Sequence, residues 1–175
     1  DADVIIAGAG PAGTMAAFEL SRRGVGVLLL DKSDFPRYKV CGGGLTARII
    51  SSIPFPLDEV IEQQVTSIRF SCRFEDVYMR VSGEPLIYCM MRDRFDHLLL
   101  KRAIDEGAGF RAGAHVIGIK ESAEGVEVET RGRRYYARYL IGADGASSVT
   151  AKASGLKRDI FYGMAVEAEM EAGKE

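Results

Sequence analysis

Three glycines and one acid near the N-terminus have the residue types and spacing of a dinucleotide-binding site. Gly8, Gly10 and Gly13 lie in the run GAGPAG, and Asp31 follows 18 positions after Gly13. Gly8 permits a tight turn, Gly10 lets a diphosphate approach the backbone, and Gly13 lets a helix pack closely. The free N–H groups that open this helix attract phosphate. A carboxylate at Asp31 can accept hydrogen bonds from ribose hydroxyls.

The flanking residues predict the elements that would position this motif. An apolar run, Val4–Ala7, precedes the glycines, and the helical stretch after them ends at Gly24. A second apolar run, Val27–Leu30, leads into Asp31. In a chain with 20 glycines the bare glycine spacing can arise by chance. Because both strands and the helix are also present, the sequence predicts a Rossmann-like βαβ unit.

The next segment, DKSDFPRYKVCGGG, reads as a loop because it contains Pro36 and three consecutive glycines. It starts at Asp31, so we expect it to run along the cofactor. Three glycines beside Cys41 favour close approach of the backbone to a ligand, with the thiol nearby. The alternative is a flexible loop with an incidental buried cysteine. Arg37 and Lys39 can contact phosphates or face solvent, and the sequence favours neither.

Two further positions are candidates for cofactor contacts. The segment YLIGADGASS reads as a buried strand that ends at Asp144 and Gly145. If that strand returns to the βαβ sheet, Asp144 lies near the first glycine loop, where its backbone or carboxylate can contact the cofactor. Arg92 precedes a helical pattern that ends before Gly107. A surface arginine and a cofactor contact are equally compatible with that position.

The remaining patterns predict an α/β fold with an antiparallel β-meander and the start of a second sheet. Residues 45–52 read as a helix, and alternation within residues 65–91 indicates three strands with a sheet of their own. The meander strands are predicted at 110–121, 126–131 and 134–141, and a last strand within 163–172. We assign residues 1–64 and 92–160 to a discontinuous nucleotide-binding domain. Residues 65–91 and 161–175 are assigned to a substrate domain that is incomplete in these 175 residues.

Composition excludes several classes of protein. A net charge of −2 gives no indication of a nucleic-acid partner, and no apolar run reaches the roughly 18 residues of a membrane span. The three cysteines lack CxxC spacing, which favours a reducing, cytoplasmic compartment over a disulfide framework. His97 and His115 have no ligand-like spacing to them, so we expect no metal site.

The chain resembles the N-terminal part of flavoproteins of the geranylgeranyl reductase type. The wider group around that type includes aromatic hydroxylases and flavin-dependent halogenases. The motifs that carry the resemblance are GAGPAG with Asp31, PRYKVCGGG, MRDRFD and GADGASS, in that order over nearly the whole chain. Among these motifs, the cysteine–glycine loop, Arg37 to Gly44, is the most specific to the geranylgeranyl reductase type. The resemblance implies that the cofactor is FAD.

The resemblance also implies a set of cofactor-binding residues. The diphosphate would lie on the glycine loop, the ribose at Asp31, the ribityl and flavin part near Cys41, and the adenine beside Val116. Arg92 would contact the pyrophosphate or the ribityl chain. The full set is Gly8, Gly10, Ala12, Gly13, Asp31, Lys32, Cys41, Gly42, Gly44, Arg92, Val116, Asp144 and Gly145.

The chemistry implied by the resemblance is reduction of isolated C=C bonds in an isoprenoid or lipid-like substrate. Reduced flavin would deliver hydride, and Cys41 is the only residue predicted near the reaction. A reduced nicotinamide or a ferredoxin-type protein would supply electrons, in a cytoplasmic or membrane-peripheral enzyme. Two alternatives stay open, a flavin-dependent monooxygenase or halogenase and an isolated nucleotide-binding fragment without activity. A nicotinamide dehydrogenase is disfavoured, because an antiparallel meander replaces the expected parallel βα units.

Overall fold

The computed structural model describes residues 2–156, 161 and 163–168, with the backbone alone at residue 76. The chain divides into two compact units. The first comprises Asp1–Arg37 and Asp96–Met164, and the second comprises Tyr38–Phe95 and Ala165–Glu175. The domain boundaries drawn from the sequence stay a prediction.

The first unit is built on a six-stranded sheet. Its strands are β1 (Ala2–Ala7), β2 (Val27–Leu30), β8 (Gly109–Arg111), β9 (Val116–Ser122), β10 (Gly125–Thr130) and β11 (Arg134–Gly142). In space they follow the order β8, β2, β1, β11, β10, β9. The helices of this unit are α1 (Pro11–Ser21), α4 (Val149–Ala153) and the part of α3 (Arg92–Asp105) that begins at Asp96.

Strand β1 lies at the centre of the parallel part of this sheet. It pairs in parallel with β2 on one side and with β11 on the other, and β2 pairs in parallel with β8. Strands β9, β10 and β11 form an antiparallel meander. The predicted Rossmann-like βαβ unit, with an antiparallel meander, is therefore confirmed. Because β1, β2 and β11 run the same way, Gly8, Asp31 and Ala143 follow the same edge of the sheet.

The core of the first unit explains why these strands form where they do. All four residues from Val4 to Ala7 are buried, as expected for a central parallel strand covered on both faces. On one face, Ile5 and Leu30 cluster with Val116 and Val128 of the meander. This shared cluster joins the parallel and antiparallel parts of the sheet, so the edge that carries the glycine turn rests on a packed layer.

The second unit contains two small antiparallel sheets. Strand β7 (Ile87–Cys89) pairs with β3 (Gly44–Thr46) and with β4 (Gln63–Val65). Strands β5 (Ser67–Cys72) and β6 (Glu75–Val81) form a hairpin. Helix α2 (Ala47–Ile50) and a short 3-10 helix (Asp58–Val60) lie between β3 and β4 in the sequence. No helix in the described part of the chain is long and apolar enough to cross a membrane.

Several predicted elements differ from the structure for identifiable reasons. Residues 110–121 are not one strand, because Gly113 has φ +67° and the chain turns between β8 and β9. The predicted helix at 45–52 is shorter, because Gly44–Thr46 pairs with β7 instead. The strands within 65–91 do not share one sheet. Residues 163–168 of the predicted last strand form no strand, and positions 169–172 lie outside the described residues.

Candidate nucleotide site and cysteine loop

The chain's own packing requires glycine at two positions of the GAGPAG turn. Gly8 has φ +100°, and a Cβ there would lie 2.3 Å from the Ala143 carbonyl oxygen. A Cβ on Gly13 would lie 1.8 Å from the Gly8 carbonyl oxygen. Any side chain at either position would force the turn, the helix and the end of β11 apart. The turn therefore requires glycine at both positions, and the contacts of Gly8 and Gly13 with a cofactor stay a prediction.

Gly10 is different, because the space beside it is open. A Cβ built on Gly10 would have only Arg37 Nη2 within 4 Å, at 3.8 Å, and its φ is −73°. Gly10 is the N-cap residue of α1 and provides no side-chain cap, and Ala12 in the first turn is exposed. Helical geometry leaves the first-turn N–H groups of α1 without partners inside the helix. This turn thus presents amide donors and a partial positive charge to an open space.

Arg37 lies beside this open space and does not face solvent. Its Nη2 lies 2.9 Å from Asp96 Oδ2, and the two side chains are 15% and 0% exposed. Its guanidinium lies 4.8 Å from the centre of the Phe35 ring. Its Nη1 is buried and has no hydrogen-bond partner in the structure. A buried guanidinium N–H without an acceptor is costly, so this atom is a candidate donor to an anion at the glycine turn.

Asp31 joins the glycine turn to the end of β2. Its Oδ2 accepts a hydrogen bond of 2.7 Å from the Ala9 N–H, and its Oδ1 accepts one of 2.8 Å from the Ser33 N–H. A carboxylate offers about four acceptor positions, so each oxygen retains one for a ribose hydroxyl. The acid is therefore fixed in place by the backbone and still able to bind a sugar.

Five of the predicted cofactor residues line one cleft at this edge of the sheet. They are Gly8, Asp31, Lys32, Val116 and Asp144. His115 lines the same cleft and was missed, because its spacing in the sequence resembles no known site. Its neighbour Val116 is only 7% exposed and supplies an apolar surface for a flat ring.

The Asp144 carboxylate is occupied by its own segment of chain. Oδ1 accepts hydrogen bonds from the hydroxyls of Ser148 and Thr150, at 2.6 and 2.7 Å. Oδ2 accepts from the N–H groups of Val149 and Thr150, at 2.8 and 3.0 Å. Burial raises the pKa of Asp144, but these hydrogen bonds outweigh it and hold the pKa below its ordinary value. The carboxylate thus caps α4, and a cofactor contact at Asp144 or Gly145 is left to the backbone.

The remaining predicted residues lie in the second unit, where Cys41, Gly42 and Arg92 line a second cleft. Gly44 opens β3 and pairs with Cys89. The sequence did not single out Gly43, yet this is the glycine that the fold requires. It has φ +64°, and a Cβ there would lie 2.1 Å from the Met90 carbonyl oxygen.

The Cys41 thiol is exposed and lies among hydrogen-bond donors. The Gly43 N–H and the Arg92 side chain donate to its sulfur and lower the pKa of Cys41 below its ordinary value. Such donors favour thiolate, the nucleophilic and basic form. The loop therefore presents an exposed thiol whose deprotonated form is favoured by its neighbours.

A family model described as "FAD binding domain" matches residues 1–172. The chain belongs to this FAD-binding family. The prediction of FAD as the cofactor is therefore confirmed at the level of the family. The open space at Gly10 and the unpaired Nη1 of Arg37 suit the diphosphate of such a cofactor.

Curated relatives of this FAD-binding chain include reductases. It is 39% identical over 167 residues to an uncharacterized protein of Methanosarcina barkeri, a match that covers 94% of this chain and 43% of that protein. It is 31% identical over 170 residues to digeranylgeranylglycerophospholipid reductase 1 of Methanopyrus kandleri, covering 88% of this chain and 42% of the relative. The chain thus spans less than half the length of these relatives.

Solved structures similar to this FAD-binding chain support its fold. One is a geranylgeranyl bacteriochlorophyll reductase-like protein from Thermoplasma acidophilum, with a TM-score of 0.79 and 23% identity over 92% of this chain and 43% of that one. Another is the halogenase PltM in complex with phloroglucinol and FAD, with a TM-score of 0.69 and 23% identity. It covers 88% of this chain and 36% of that one. At these identities the likeness concerns the fold alone.

Proposed function

We propose that this chain is the FAD-binding part of a flavoprotein reductase that saturates isolated C=C bonds in an isoprenoid or lipid-like substrate. The observation that carries the proposal is the Cys41 loop, which holds an exposed thiol between the Gly43 N–H and Arg92. The segment PRYKVCGGG, which is the narrowest part of the resemblance, contains this loop. The name of the Methanopyrus kandleri relative supports the same substrate class.

The residues of the first unit bind and orient the nucleotide in this proposal. The first-turn amides of α1 and the free Nη1 of Arg37 donate hydrogen bonds to the diphosphate. Asp31 accepts hydrogen bonds from the adenosine ribose, with Lys32 beside it, and Val116 packs against the adenine. Gly10 excludes side-chain atoms from the space that the phosphates need. The backbone at Asp144 and Gly145 completes this half of the site.

The residues of the second unit act near the flavin in this proposal. When bound, the flavin supplies the hydride transfer, since that chemistry belongs to the cofactor. The backbone of Cys41, Gly42 and Gly44 lies along the ribityl and flavin part, and Arg92 contacts the ribityl chain or pyrophosphate. The Cys41 thiol donates to the substrate carbon the proton that must accompany the hydride, and the resulting thiolate then takes up a proton from solvent. Reduced nicotinamide or a ferredoxin-type protein supplies the electrons, and the enzyme is cytoplasmic or membrane-peripheral.

Product analysis with the full-length, FAD-loaded protein tests this proposal. We expect a yellow protein that, with a chemical or enzymatic reductant, adds hydrogen to geranylgeranyl groups without incorporating oxygen or halide. The variant Cys41→Ser is expected to bind FAD normally and to reduce the substrate at least tenfold more slowly. Cys72→Ser, a change at another exposed cysteine, is the matched control. Incorporated oxygen or halide would favour the monooxygenase or halogenase alternative and overturn the proposal.

A further inference from the structure

A glutamate far along the chain contacts the cysteine loop. Glu167 Oε2 accepts a hydrogen bond of 2.9 Å from the Cys41 N–H. The Tyr38 hydroxyl donates a longer one, of 3.4 Å, to the same oxygen. Glu167 is partly buried and lines the same cleft as Cys41. The two residues are 126 positions apart in the sequence, so only the fold brings them together.

The other end of the loop is fixed by the second unit's own backbone. The Met90 N–H donates a hydrogen bond of 2.9 Å to the Gly43 carbonyl, and the close approach at Gly43 admits no side chain. Gly43 and Arg92 in turn donate to the Cys41 sulfur. Cys41 is thus held at its sulfur by donors on one side and at its N–H by the Glu167 carboxylate on the other.

We propose that Glu167 is a positioning residue for Cys41. The Glu167 carboxylate holds the backbone of the loop and opposes the charge of Arg92 at the thiol. The charged groups that line this cleft, among the described residues, are Lys39, Arg92, Asp93 and Glu167. Arg92 and Glu167 are the two that act on the thiol, and they act in opposite directions.

The hydrogen bond from the Gly43 N–H is the largest cause of the lowered pKa of Cys41, and two charged groups add to it in opposite directions. Arg92 lowers the pKa of the thiol by donating a hydrogen bond and by its positive charge, whereas the negative charge of Glu167 raises it. Glu167 therefore favours the proton on the sulfur, but it does not cancel the effect of the Gly43 N–H and Arg92, because the pKa of Cys41 stays below its ordinary value. The use of that proton in catalysis rests on the proposed function, but the effect on the thiol does not.

The test is the pH dependence of Cys41 alkylation in the full-length, FAD-loaded protein. Iodoacetamide reacts with the thiolate, and mass spectrometry of the Cys41 peptide isolates this residue from other cysteines. Glu167→Gln keeps an acceptor for the Cys41 N–H but removes the charge. We expect its alkylation midpoint to move to lower pH, with faster alkylation than in wild type at pH values below both midpoints.

Two further variants separate the effect of the Glu167 charge from a general perturbation of the structure around the cleft. Asp93→Asn removes a charge from the same cleft but preserves an acceptor for the Arg94 N–H, which now contacts Asp93 Oδ1 at 2.8 Å. We expect no shift of the midpoint in this matched control. Arg92→Gln is expected to shift the midpoint upwards. An unchanged midpoint in Glu167→Gln, or an equal shift in Asp93→Asn, would overturn the role of the charge.

Hydrogen–deuterium exchange of the Cys41 amide tests the positioning role. Glu167→Ala removes the acceptor, so we expect about tenfold faster exchange at Cys41, whereas Glu167→Gln should retain most of the protection. Equal protection in wild type and Glu167→Ala would overturn this role. Neither measurement requires turnover, so a protein that fails to reduce any isoprenoid can still support the assignment of Glu167.

Discussion

Replacing Gly10 by valine should separate flavin binding from folding. A Cβ at this position would meet only Arg37 Nη2, at 3.8 Å, so the folded chain accommodates a Cβ there without a clash. The φ of −73° is accessible to any residue. The expected loss of stability is that of a poorer N-cap, about 1 kcal/mol. The side chain would nevertheless fill the space that the diphosphate needs.

The expected loss of affinity follows from the hydrogen bonds that the diphosphate would no longer make. A hydrogen bond to a charged group contributes about 1.5–3 kcal/mol. Displacing the phosphates from two first-turn amides of α1 therefore costs about 3–6 kcal/mol. This corresponds to a Kd for FAD that is roughly 100-fold to 10,000-fold higher.

The assay is titration of deflavinated full-length protein with FAD by calorimetry, together with thermal unfolding of the same samples. Gly83→Val is the matched control, because no atom lies within 4 Å of a Cβ at Gly83, which lies in the other unit. Gly13→Ala provides the contrast, since its Cβ would lie 1.8 Å from the Gly8 carbonyl oxygen and should prevent normal folding. A folded Gly10→Val protein that binds FAD within threefold of wild type would refute the reasoning.

Three further predictions concern charged residues of the first unit. Asp96→Asn removes the charge that pairs with the buried Arg37, so denaturant unfolding should show a loss of about 3 kcal/mol, whereas the exposed Asp105→Asn on the same helix should change little. Arg37→Lys preserves the positive charge but removes the free Nη1 and the stacking on Phe35, so calorimetry should show about tenfold weaker FAD binding, with a loss of stability smaller than that of Asp96→Asn. Because the folded pKa of Asp144 is lowered, its contribution to stability is present above the unfolded pKa and is lost as the pH falls through the folded pKa. Unfolding of Asp144→Asn should therefore depend less on pH below about pH 4 than unfolding of wild type, and equal acid sensitivity would contradict that account.

The local part of the fold was predictable because its signals lie close together in the sequence. The strand, glycine turn, helix and strand of residues 4–31 depend on neighbouring residues, and the structure places β1, α1 and β2 there. The break between β8 and β9 was missed, because apolar residues continue through it. Strand β8 ends where its pairing with β2, about 80 positions earlier, ends. Alternation of residues within one segment cannot reveal a partner strand so far away in the sequence.

The site was predictable to a similar extent. The glycines and Asp31 have types and spacing that indicate their roles. The sequence favours neither of two interpretations for Arg37, because its partner Asp96 lies 59 positions later, beyond the segment of the second unit. Glu167 was missed for the same reason, since it falls within the strand predicted at 163–172 and its partner Cys41 lies 126 positions earlier. Long-range contacts of this kind depend on tertiary structure, which the residue pattern of one short segment does not indicate.

The hydrogen bond from the Ala9 N–H to Asp31 joins the glycine turn, which is expected to bind the phosphates, to the acid that is expected to bind the ribose. Asp31 is the acid expected to bind the ribose, so its substitution would change how the site contacts the sugar. In this chain the same substitution would also remove the acceptor of the Ala9 N–H, which would leave the turn held to β2 by the hydrogen bond from the Gly8 N–H to the Leu30 carbonyl. Selectivity for the sugar and affinity for the diphosphate would then change together. A variant designed to alter the first would need a second substitution to restore the second.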